Sequence, residues 1–196
     1  MKQLTLTVLL CLAGFWSFSQ SKDLARVYRV QGIEVYVMSE PLRDYNVMCD
    51  VSTGIKAESA LTGGLFNESI ADKMGQFVKK ALKENPRIDA VVYSSGKRVV
   101  GVQFKDAATA DTKGIARVNK VNGLPVFVMS EPLADYETLD SKGAGIKWKS
   151  VATGGIINNS IEDDVDRFVQ RVDNSNMVDA VIIDGGKRAT AIHFKR

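Results

Sequence analysis

The chain has 196 residues and a formal net charge of +3, too small a surplus to argue for nucleic acid or an anionic membrane as partner. Two cysteines and one histidine rule out a dense disulfide framework and leave few ligands for a zinc or copper centre.

The first predicted element is a leader. In MKQLTLTVLLCLAGFWSFSQ, Lys2 precedes an apolar run from Leu4 to Trp16, and Ser17 and Ser19 stand at the minus-three and minus-one positions for cleavage before Gln20. Residues 1–19 therefore read as a secretory signal peptide, and the expected location is the periplasm or the extracellular space. The run is shorter than the ~20 apolar residues of a comfortable span, and no stable membrane span is expected after its removal. Cleavage takes away Lys2 and Cys11, so the mature charge is +2 and Cys49 is the single thiol. Stability must then come from packing.

Residues 20–105 form a first repeat unit. ARVYRVQGIEVYVMSEPL (25–42) places apolar residues on both sides of a Gln31-Gly32 turn, a hairpin that sets Arg29 opposite Glu34. Alternation along it predicts Ile33, Val35 and Val37 on one face and Tyr36 and Met38 on the other. YNVMCDVSTG (45–54) predicts a third strand. TGGLFNESI (62–70) then leads into a helix whose stripe is Ile70, Met74, Phe77, Val78, Ala81 and Leu82. Ser69 and Asp72 stand as a capping box, and Asn85-Pro86 stops the helix. DAVVY-SSGK-RVVGVQF (89–104) predicts a closing hairpin.

DAATADTKGI (106–115), small and polar, reads as a linker. Residues 116–196 then repeat the first unit. ARVNKVNGLPVFVMSEPL (116–133) matches 25–42 at an offset of 91, TGGIINNSI (153–161) matches 62–70, and DAVIIDGGKRATAIHF (179–194) matches 89–104 at an offset of 90. Asn122-Gly123 is the stronger hairpin signal of the two. Ile161, Val165, Phe168, Val169 and Val172 repeat the helix stripe, with Ser160 and Asp163 as its cap. Pro125 replaces Glu34, which asks for a position that tolerates a missing ladder donor.

The fold expected is α+β: two tandem copies of a β-β-β-α-β-β unit, each an antiparallel sheet with one packed helix, associated in a pseudo-twofold pair. One helix covers one face of its sheet, and the other face or an edge meets the second copy. A lone unit of this size would be marginal, which gives pairing a physical motive.

Candidate chemistry is sparse. Cys49 has no histidine placed to activate it, and its counterpart is Asp140. His193 lies in the other copy, opposite in facing to Phe194, with Gln103 as its counterpart. No catalytic set, metal site or cofactor is predicted. The TGG turns could hold an anion at a helix N-terminus, using Lys56, Gly63, Gly64 and Asn67 in copy one and Lys147, Gly154, Gly155 and Asn158 in copy two; the bland alternative is a turn that needs positive φ. Within VMSEPLRDY (37–45) and VMSEPLADY (128–136), eight of nine letters agree. Architecture explains most of them, and Asp44, Tyr45, Asp135 and Tyr136 remain as binding candidates.

The order of glycine pair, helix and Asp-Ala-Val strand, at Gly63-Gly64 with Asp89-Ala90-Val91 and at Gly154-Gly155 with Asp179-Ala180-Val181, resembles a family of small bacterial proteins described as heavy-metal-binding. The resemblance implies a small α+β unit that self-associates; the metal in that description finds no matching ligand set here. The functional expectation is an exported, non-enzymatic duplicated module acting by binding or self-assembly, with an envelope or extracellular partner of unknown identity or a second copy of itself. The alternative is a small-ligand or anion-binding protein that uses the TGG loops or the cleft between copies.

Overall fold

The computed structural model describes residues 21–51, 69–94, 98–107, 112–139, 162, 165–166, 169–170, 177–185 and 189–195. Copy one contributes β1 (Leu24–Val27), β2 (Arg29–Val30), β3 (Ile33–Val37), β4 (Ser39–Pro41), β5 (Tyr45–Asp50), α1 (Ile70–Glu84), β6 (Ala90–Tyr93) and β7 (Val99–Phe104). Copy two contributes β8 (Ile115–Val118), β9 (Lys120–Val121), β10 (Leu124–Val128), β11 (Ser130–Pro132), β12 (Tyr136–Thr138), β13 (Ala180–Ile183) and β14 (Ala189–Phe194).

These strands do not make two separate units. They form two sheets, and both sheets are built from both copies. The larger has the order β12-β14-β13-β10-β3-β6-β7-β5, with β2 on β3 and β9 on β10. The smaller has the order β11-β1-β8-β4, so its strands alternate between copies and each of its pairings crosses from one copy to the other. The expected pair of antiparallel units, each with its own packed helix, is overturned. The fold is mostly β, and α1 is its single helical element among the described residues. In the corresponding stretch of copy two, the described residues Glu162, Val165, Asp166, Val169 and Gln170 are helical in conformation.

The expectation of purely antiparallel sheets fails for a physical reason. A helix between two strands acts as a crossover and returns the chain in its original direction. The connection through α1 therefore brings β6 back parallel to β3, with Val35 opposite Val91. β13 likewise runs parallel to β10, with Val126 opposite Val181.

The contact between copies is reciprocal residue by residue. Val37 pairs with Val128 and Ala25 with Ala116, each with its own counterpart in the repeat. Ala25 pairs with Pro132 while Ala116 pairs with Pro41. Hydrogen bonds follow the same rule. Tyr28 N–H donates to the Met129 carbonyl and Asn119 N–H to the Met38 carbonyl, both at 3.0 Å.

VMSEPL is the segment that makes this exchange. Met38 and Met129 take φ of 50° and 48°, a left-handed conformation that costs a non-glycine residue of order 1 kcal/mol. The reversal lets the chain leave the large sheet after β3 or β10 and enter the small sheet as β4 or β11. It also breaks strand alternation. Met38 was expected on the face opposite Val37, yet both lie in one core. Burial of both methionines, at 6% and 3% exposure, offsets the backbone cost.

That core unites α1 (Met74, Val78, Ala81) with Val35, Val91, Val126, Val181 and Ile183 from the two halves of the large sheet. The opposite sheet face is covered by the small sheet and splits into two end clusters. One holds Tyr36, Val92, Phe104 and Ala116; the other holds Phe127, Ile192, Phe194 and Ala25. Each is centred on an edge-on aromatic pair, Tyr36–Phe104 at 6.2 Å and Phe127–Phe194 at 6.4 Å.

Local signals read from the sequence recur in α1. Asp72 N–H donates to Ser69 Oγ, and Ser69 N–H donates back to the Asp72 carboxylate. Ala71 N–H, an orphan donor of the first turn, reaches the Gly185 carbonyl of copy two at 2.8 Å. The Gln31-Gly32 and Asn122-Gly123 turns both have two positive φ values, as a type I′ hairpin requires, and Arg29 stands opposite Glu34.

Candidate functional site

The site begins at Glu34, whose side chain points away from the helix side because its neighbours Val35 and Val37 face the shared core. Glu34 is 5% exposed, and a carboxylate so buried requires partners. It has two. Arg29, across the β2–β3 hairpin, donates from Nη2 to Oε1 at 2.9 Å, and Tyr36 donates its hydroxyl to Oε2 at 2.8 Å. Burial, then the hydrogen bond to Glu34, pushes the Tyr36 phenol far above its ordinary range.

A cleft of about 470 Å³ opens over this network. Arg43, just beyond β4, spreads its guanidinium over the Phe104 ring at 3.8 Å from the centroid. Its Nη2 donates to the Asp106 carbonyl, while its buried Nε has no hydrogen-bond partner among the described residues. Asp89 lines the same wall and accepts the Phe104 N–H at 2.9 Å. Lys105, Asp106 and Lys113 complete the rim and are exposed. Gly114 lies beside Glu34, where an added Cβ would make an ordinary van der Waals contact, 3.8 Å from Oε1.

Copy two repeats the framework and lacks the site. Asp179 accepts the Phe194 N–H at 2.9 Å, as Asp89 does for Phe104. But Arg29, Glu34, Tyr36 and Arg43 become Lys120, Pro125, Phe127 and Ala134. The acid, the phenol that bonds it and the arginine above it are missing together. The Phe194 ring instead faces Lys22 Nζ at 5.3 Å.

The residues picked from sequence lie elsewhere. The Asp44 and Asp135 carbonyls accept the N–H groups of Lys105 and Lys195. Tyr45 and Tyr136 donate their hydroxyls to Glu40 at 3.4 Å and Glu131 at 3.3 Å, and burial followed by those carboxylates raises both phenols. These four residues thus have the same architectural contacts in each copy. Lys56, Gly63, Gly64, Asn67, Lys147, Gly154, Gly155 and Asn158 lie outside the described residues. Cys49 is half-buried beside Gly101, and burial raises its thiol. Within copy two, His193 Nδ1 stands 3.0 Å from Asp179 Oδ2 without hydrogen-bond alignment.

Glu34 was visible from the sequence only as a ladder position, and Tyr36 only as a core aromatic. The signal that finds the site is divergence between the copies. Arg43 is the one letter by which VMSEPLRDY differs from VMSEPLADY.

Among the described residues no group of three or more His, Cys, Asp or Glu side chains is placed to hold a metal ion. Nor is any described helix long and apolar enough to cross a membrane. Comparison with protein-family models, curated proteins and solved structures returns no match.

Proposed function

We propose that this chain is an exported, non-enzymatic binding module in which copy one carries the ligand cleft and copy two completes the scaffold. The leader at residues 1–19 supports export. One observation carries the rest. Two copies with reciprocal registers differ as a set at Arg29, Glu34 and Arg43, which line the cleft, and at Tyr36, the buried phenol that holds Glu34. A buried carboxylate with its own phenol and guanidinium is costly to keep for structure alone, because Pro125, Phe127 and Ala134 give the same framework without it. The non-enzymatic reading rests on the placement of reactive groups. Cys49 and His193 lie in different copies, and the described cleft residues include neither a thiol nor an imidazole.

The test exchanges the cleft for its copy-two counterpart. Arg29→Lys, Glu34→Pro, Tyr36→Phe and Arg43→Ala together, with Arg43→Ala alone as the milder variant, are screened by thermal shift against a small-molecule library. The reading expects ligand responses of the mature protein to vanish in the four-residue variant and to fall in Arg43→Ala while the chain stays folded. Responses undiminished in the folded variants would place binding elsewhere.

A further inference from the structure

We propose that the copy-one cleft takes a small ligand bearing an oxyanion, either a carboxylate or a phosphate group, held by Arg43, Lys105 and Lys113. The proposal deepens the binding reading above and rests on it.

The argument follows which charges are already committed. Seven charged side chains line the cleft: Arg29, Arg43, Lys105, Lys113, Glu34, Asp89 and Asp106. Glu34 is taken by Arg29 and Tyr36, which neutralises Arg29 in turn. Asp89 is engaged by the Phe104 N–H. Among the described residues the ammonium groups of Lys105 and Lys113 have no ion-pair partner, and Arg43 donates only to a backbone carbonyl. Accepting a neutral N–H leaves Asp89 its charge, so the uncommitted charge is three cations against Asp89 and Asp106, a net surplus of one positive charge. A ligand that completes the site must bring acceptors and negative charge.

Geometry narrows the class. The Phe104 ring, 3.8 Å from the Arg43 guanidinium carbon, and the Asp106 carbonyl hold this guanidinium in place, and a guanidinium suits the oxygens of a carboxylate or phosphate. The volume of about 470 Å³ falls near the lower end of small-molecule sites, which suits a ligand of metabolite size and not a polymer chain. The buried Glu34 adds selectivity. Its carboxylate oxygens can also accept from a hydroxyl or amine that a ligand carries beyond its oxyanion.

Isothermal titration of the mature full-length protein decides it, with citrate, pyrophosphate, glucose and putrescine as probes. The expected result is saturable one-to-one binding of citrate, pyrophosphate or both, weakening with salt. Binding of one and not the other names the group recognised. Lys105→Ala and Lys113→Ala should each weaken it about fivefold, and Arg43→Ala about tenfold or more. Lys195→Ala, the copy-two counterpart of Lys105, should leave it unchanged. Affinities weaker than about 1 mM for both anions, or binding indifferent to all three variants, would overturn the proposal. Glucose or putrescine binding that is lost on exchanging the four cleft residues would sink the oxyanion assignment and leave the cleft as the binding site. A ligand whose binding survives that exchange would sink both.

Discussion

Over one end of the large sheet, Arg43 covers the Phe104 ring and Glu34 lies buried beneath it; over the other end, Ala134 and Pro125 leave the Phe194 ring facing Lys22. The strand order around the two places corresponds, and the carboxylates of Asp89 and Asp179 accept the Phe104 and Phe194 amides alike. The difference teaches a division of labour. What both copies share, including the left-handed Met38 and Met129 and the exchanged Ser-Glu-Pro strands, builds the interlock. What copy one has alone builds a polar, charged cleft that the interlock does not need.

The largest effect expected from breaking this comparison comes from separating the halves. Each of β1 and β8 finds both its neighbours in the other copy. Residues 20–107 and 112–196 expressed apart should each lack a cooperative melt as monomers, and mixing them should restore one. Circular dichroism with sedimentation velocity reads this directly. A folded monomeric half would show that the exchanged strands are dispensable.

A second comparison concerns Gly101, whose counterpart is Ala191. An added Cβ at Gly101 would sit 2.6 Å from Cys49 Sγ and 3.0 Å from Ile88 Cγ2. Gly101→Ala should cost about 1–3 kcal/mol in a urea melt. Adding Cys49→Ala should recover part of that, because the thiol is the nearer obstacle.

Tyr36→Phe copies Phe127 and removes one of the two Glu34 partners. At neutral pH it should cost about 1–2 kcal/mol. The alkaline limb supplies a sign that packing alone would not. Burial and Glu34 raise the folded phenol, so the folded state keeps a proton that the unfolded chain releases above about pH 10. The stability contributed by that proton is fully present below about pH 10 and is lost as pH rises beyond it. Stability of the Tyr36→Phe variant should therefore fall less steeply above pH 10 than that of the parent.

The smallest effects lie where the copies agree. Ser39 and Ser130 are buried, at 2% and 0% exposure, and neither hydroxyl has a hydrogen-bond partner among the described residues. Ser39→Ala and Ser130→Ala should each be neutral or stabilise by up to about 1 kcal/mol, and by similar amounts. A large loss at either one would mean that its hydroxyl is bonded after all.

Much of the local structure was legible in the sequence. The Asn122-Gly123 turn, the Ser69–Asp72 box and the stripe from Ile70 to Leu82 are short-range signals, and short-range chemistry decides them. Strand partners are another matter. Pairing is a long-range choice, and nothing in ARVYRV says that β1 will lie between two strands of the other copy. Alternation also misleads wherever the backbone turns left-handed, as at Met38. The site was missed for a different reason. Repetition drew attention to Asp44 and Tyr45, whose contacts are architectural in both copies, while Glu34, Tyr36 and Arg43 stand where repetition fails.

The most direct test of copy one as the binding half is a titration followed by amide chemical shifts on the mature protein, with citrate as the probe. The account predicts saturable shifts at Arg29, Gly32, Asp89, Lys105 and Lys113, and none of comparable size at Lys120, Gly123, Asp179, Lys195 and Lys22. Equal shifts at both sets, or shifts confined to copy two, would contradict it.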